Sequence, residues 1–95
     1  MNSVSKLEID KVFGKILKRH RIDNHLTQEQ LSEKLNISLK YISRIENGNG
    51  RIKTQTLIKY MDTLGITPNL LYKDFISNSS LKKHLELKKA TWKDE

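Results

Sequence analysis

LTQEQLSEKLNISLKYISRIENG, running from Leu26 to Gly48, decides the fold of this chain. It reads as two short helices joined by a tight turn. Thr27 and Gln30 stand at the T-x-x-Q spacing of a capping box, in which hydroxyl and amide satisfy each other's free backbone N–H groups. Leu26 before the cap and Leu31 at the fourth helical position have the spacing of a hydrophobic staple. Leu31 and Leu35 face inward. Asn36 tolerates positive φ and suits a sharp turn, with Ile37 plugging the angle behind it. Ser38 is the N-cap of the second helix, which runs to Glu46 or Asn47 and stops at Gly48. At roughly 100° per residue, Ile42 and Ile45 share one side, while Lys40 and Arg44 take the opposite side with Ser43 beside them. Leu39 and Tyr41 occupy the flanks.

Helical periods continue on both sides of this stretch. Upstream, a helix is expected over about Glu8 to Ile22, with Ile9, Val12, Phe13, Ile16 and Leu17 at the spacing of one buried stripe. Asp23, Asn24 and His25 end it, Asn24 or His25 taking the left-handed conformation. Downstream, the loop Asn47 to Lys53 (NGNGRIK) is glycine-rich and basic. A fourth helix is expected over about Thr54 to Leu64, burying Leu57, Ile58, Met61 and Leu64 and ending at Gly65. A fifth opens with Thr67 as cap and Pro68 at the first helical position. Of its apolar residues, Leu70 and Leu71 are expected in the core, leaving Tyr72, Phe75 and Ile76 for a partner surface. Residues 1–78 thus form one helical domain. The segment 79–95 is basic and reads equally as a further helix, LKKHLELKKATW, capped by Ser80, or as a disordered tail.

Composition narrows the function. The chain has 95 residues, 36% of them apolar, which supports one domain with a modest core. It has no cysteine, so disulfide scaffolds and cysteine-ligated zinc are excluded. No apolar run has the length of a signal peptide or a membrane span, and a cytoplasmic location is expected. A formal charge of +7 suits a polyanion. The few scattered aromatics argue against a stacking platform for single strands, and the basic residues do not oppose one continuous apolar face, which argues against a membrane surface.

Catalysis finds no support. No nucleophile, base and orienter fall together, and NGNG is not followed by a lysine in phosphate-loop register. His20, His25 and His84 lack carboxylate or thiol partners at ligand spacing and read as surface histidines. Neither an enzyme nor a cofactor is expected. A pair of helices with a basic, hydrogen-bonding face fits instead the major groove of double-stranded DNA.

The order of these elements resembles the Xre/Cro-type helix-turn-helix family, which includes phage repressors and restriction–modification controller proteins. The strings LTQEQLSEKL, NIS, YISRIENG and TLIKYMDTLGI carry the resemblance, over about Val12 to Ile76. It implies an all-α, five-helix DNA-binding domain acting as a dimeric transcriptional repressor on a palindromic operator. Residue by residue, it implies base contacts from Leu39, Lys40, Ser43 and Arg44. Gln28, Asn47, Asn49, Arg51 and Lys53 would contact phosphates, with the Tyr41 hydroxyl as a further phosphate donor. Arg21 and Glu46 match a structural ion pair between the first and third helices. The chain departs from the family's pattern at His25, where a glycine is usual, at Ser32, a common alanine, and at Leu39, a frequent polar reader. The alternative is a protein-interaction module, such as an antitoxin holding a toxin-like partner through the fifth helix and the tail. An ordinary solvated helix face is the plain reading of Lys40, Ser43 and Arg44, and the surrounding motif weighs against it.

Overall fold

The computed structural model describes residues 6–77. Five α-helices follow one another: α1 (Lys6–Asp23), α2 (Gln28–Leu35), α3 (Leu39–Glu46), α4 (Thr54–Leu64) and α5 (Pro68–Ile76). No strand occurs among the described residues. The segment expected as helix or tail over 79–95 lies outside them.

The local signals in Leu26–Gly48 operate as their chemistry requires. Thr27 Oγ1 accepts from the Gln30 N–H at 3.0 Å while the Thr27 N–H donates to Gln30 Oε1 at 2.9 Å, closing the capping box. Asn36 turns the chain at φ 53°, and the Ser32 hydroxyl donates across that turn to the Ile37 carbonyl. Ser38 caps α3 by accepting from the Tyr41 N–H at 3.1 Å. Lys59 Nζ, from α4, reaches the Leu35 carbonyl at 3.3 Å and satisfies one free acceptor at the end of α2. His25 takes the left-handed conformation at φ 58°. It does so without a glycine's freedom, at a cost of about 1–2 kcal/mol.

The core consists of Leu17, Leu31, Leu35, Ile42, Ile45, Tyr60, Leu64 and Ile66, with Phe13, Leu26, Ile37, Tyr41 and Leu71 packed around it. The helix-turn-helix residues enter it as their spacing predicts. α4 does so only in part. Ile58, expected inside, is 60% exposed, and Tyr60 is fully buried. The inward row is Thr56, Tyr60 and Leu64, which turns α4 by most of a residue's step and sends Ile58 to the opposite side. The Tyr60 ring fills volume that no aliphatic residue of this helix supplies. Its hydroxyl is buried without a hydrogen-bond partner, and that burial, with the nearby Glu46 charge, pushes its pKa well above the usual tyrosine range.

Two further contacts were not legible in the pattern. Gly14 is buried where α1 crosses the end of α3. A Cβ there would collide with the Ile45 carbonyl oxygen and stand 2.8 Å from that of Glu46. His20, read as a surface residue, is only 16% exposed at its side chain and lies with Nε2 2.7 Å from Asp74 Oδ2, joining α1 to α5.

Candidate nucleic-acid interface

α3 is the best-sorted helix of the molecule. Ile42 is fully buried and Ile45 is 3% exposed, whereas Lys40 and Arg44 are exposed and Ser43 half-buried beside them. Leu39 opens the helix at 43% exposure. The four residues expected to contact bases therefore lie together along the outer side and first turn of one helix, directed away from the core. Arg44 also leans towards the following loop: its Nε and Nη2 would be 3.8 Å from a Cβ on Gly50. Ser43 Oγ accepts weakly from Asn47 Nδ2 at 3.4 Å, leaving its own O–H proton available.

The orientation of this helix is set from beneath. Arg21 Nε donates to Glu46 Oε2 at 2.8 Å and Arg21 Nη2 to Glu46 Oε1 at 2.9 Å, a bidentate pair in which both residues are buried. The third arm, Nη1, donates to the Leu26 carbonyl at 2.7 Å, so one guanidinium holds the end of α3 and the chain entering α2. The hydrogen bonds to Glu46 and its charge raise the Arg21 pKa above its already high value, against the opposing effect of burial. The expected ion pair is present, with a role in fixing geometry.

Gln28 is the first residue of α2. One of its amide protons is already committed, since Nε2 donates to Glu46 Oε1 at 3.0 Å. The amide retains a second N–H beside the free backbone N–H groups of the helix start. The Tyr41 hydroxyl accepts from the Lys53 N–H at 3.0 Å, bracing the start of α4, and keeps its proton for donation. Around it Ile37, Ser38, Lys53, Gln55, Thr56 and Lys59 line an open cleft of about 380 Å³. Asn47, Asn49, Arg51 and Lys53 are all exposed. The Asn49 N–H donates to the Arg44 carbonyl at 2.9 Å, so the loop folds back onto the end of α3.

The residues expected at a partner surface divide. Tyr72 is 50% exposed, while Ile76 is half-buried. Phe75 turns inward, its ring 5.1 Å from that of Phe13 and nearly perpendicular to it, so it anchors α5 to α1. Leu70, expected in the core, is 38% exposed. Leu70 and Tyr72, two positions apart, are therefore exposed on opposite flanks of α5, Tyr72 on the side it shares with Ile76, with Phe75 serving attachment.

Comparison with known proteins agrees with this architecture. The helix-turn-helix family HTH_3 matches residues 17–71, more than half of the chain and all of α2, α3 and α4. Among solved structures, that of the clp gene regulator ClgR from Corynebacterium glutamicum is similar, with a TM-score of 0.64. The similarity covers 98% of this chain and 88% of that one at 19% identity, and at that identity it bears on the fold. No curated protein matches the sequence.

Proposed function

This chain belongs to the HTH_3 helix-turn-helix family, and on that premise we propose that it is a transcriptional regulator that binds double-stranded DNA sequence-specifically. The observation that carries the reading is the division of α3, with Ile42 and Ile45 sealed in the core and Lys40, Ser43 and Arg44 facing out. A helix so seated enters the major groove with its donors against base edges. Lys40 and Arg44 are the donors to guanine O6 and N7, Leu39 meets a thymine methyl, and Ser43 accepts or donates. Phosphate contacts come from Gln28, Tyr41, Asn47, Asn49, Arg51 and Lys53, and supply much of the affinity.

The protein acts as a homodimer through the side of α5 that carries Tyr72 and Ile76, on a palindromic operator, and represses by occupying the site. Two-fold symmetry places the paired reading helices about 34 Å apart, one turn of DNA. Selection from random duplexes tests this. Enrichment of a two-fold repeated motif, with binding that weakens steeply with salt, is the expected result. A pool that stays random through successive rounds would contradict it.

A further inference from the structure

The α1 face beside the end of α3 carries cations that the helix-turn-helix pattern does not account for. Gly48, in the left-handed conformation at φ 73°, is pressed against Lys11: a Cβ there would stand 2.7 Å from both Lys11 Cα and Lys11 Cγ. The stem of Lys11 therefore lies across the very glycine that ends the reading helix and opens the basic loop. Lys15 and Lys18 follow at helical spacing, so that the three lie within about 60° of one another around the helix axis. All three are exposed, and among the described residues none forms a salt bridge. Arg19, also exposed, borders the row. Asp10 and Asp23 fall about 80° or more from any of the three lysines, and from α5 Asp74, held by His20, lines a shallow cleft with Lys15 and Arg19.

A solvated helix face needs no such arrangement. These four cations, running from the basic loop Asn47–Lys53 along one side of α1, form no salt bridge among the described residues; they repel one another, and a polyanion relieves that repulsion. We propose that Lys11, Lys15 and Lys18 form a second track for the phosphodiester backbone of duplex DNA, continuing the loop's contacts past the positions at which bases are read. From Lys11 to Lys18 the row covers seven helical steps, about 10 Å, enough to follow successive phosphates of one strand. It supplies affinity without sequence information. The proposal rests on the duplex-DNA reading above and extends it to residues outside the helix-turn-helix.

The test is a salt titration of binding to a long mixed-sequence duplex, comparing wild type with the Lys11→Ala/Lys15→Ala/Lys18→Ala variant. Each phosphate no longer neutralised lowers the slope of log K against log salt by about 0.9, so a reduction of about 2–3 is expected. The corresponding triple arginine variant should keep the wild-type slope. Lys34→Ala with Lys73→Ala, at exposed positions on α2 and α5, should reduce it much less per charge removed. Equal reduction per charge in both sets, or an unchanged slope in the alanine triple variant, overturns the track. The second outcome does so even if the row proves to hold an acidic protein. Wild-type protein without any salt-dependent duplex binding would instead sink the DNA reading itself, which keeps the two failures apart.

Discussion

His20 and Arg21 are neighbours on α1, yet they hold different helices: His20 Nε2 lies 2.7 Å from Asp74 of α5, and Arg21 Nε donates at 2.8 Å to Glu46 of α3. One turn of α1 thus joins the helix proposed to face a second protomer to the helix proposed to read DNA. The strengths differ. The Arg21–Glu46 pair is bidentate and buried, whereas the His20–Asp74 contact is single and half open, and α5 has no fully buried residue.

Glu46 is the point at which the reading helix is most vulnerable. Glu46→Ala leaves the Arg21 guanidinium buried without its carboxylate and deprives the Gln28 amide of its acceptor. A destabilisation of about 3–5 kcal/mol is expected, measured as the shift in urea unfolding. A value near zero would show that the pair does not organise the site.

Tyr60→Phe should go the other way. It removes a buried hydroxyl that has no partner and keeps the ring that fills the core. An unsatisfied buried polar group costs about 1–3 kcal/mol, so the variant should be at least as stable as wild type in urea. Destabilisation by that amount would show that the hydroxyl is satisfied in solution.

Gly14→Ala adds one methyl group against backbone carbonyls that cannot rotate away. Overpacking of this kind costs about 1–3 kcal/mol. Because it pushes α1 off the end of α3, DNA affinity should fall together with the melting temperature. Unchanged stability would mean that the two helices leave room for a methyl group at their crossing.

These positions show where sequence reading reaches and where it stops. The helix-turn-helix was legible because its signals are local: a capping box at Thr27 and Gln30, an αL-tolerant Asn36, a cap at Ser38, a stop at Gly48. Each is settled within a few residues, so spacing alone identifies it. The face of α4 was legible only in part, since Leu64 and Met61 meet the core as their spacing predicts, while Tyr60 and Thr56 rather than Ile58 complete the inward side. Only packing against the rest of the core selects between them. Gly14 gave no signal, as a glycine inside a helical period is read as a weak helix former. The His20–Asp74 contact spans 54 residues and has no periodicity to reveal it. Gln28 and Tyr41 were legible as polar groups near the interface, but their bonds to Glu46 and Lys53 depend on the tertiary arrangement.

The Tyr72 side of α5 yields a separate expectation. Tyr72→Glu places a charge on an exposed position of the side shared with Ile76, without disturbing the Phe13–Phe75 contact. Sedimentation equilibrium should show a wild-type dimer and a monomeric variant of unchanged helical content. A wild-type protein that stays monomeric at high micromolar concentration would remove the dimer from the proposal.

The central claim is that the outward side of α3 reads bases, and the preference ratio measures it most directly. Affinity for a selected duplex is divided by affinity for its scrambled counterpart, at one salt concentration, for wild type and for Arg44→Ala. Removing a bidentate arginine from its base costs about 1–3 kcal/mol, so the ratio should fall by roughly 5- to 150-fold. A ratio equal to that of wild type, with both affinities lowered alike, would make Arg44 a phosphate contact and contradict the claim.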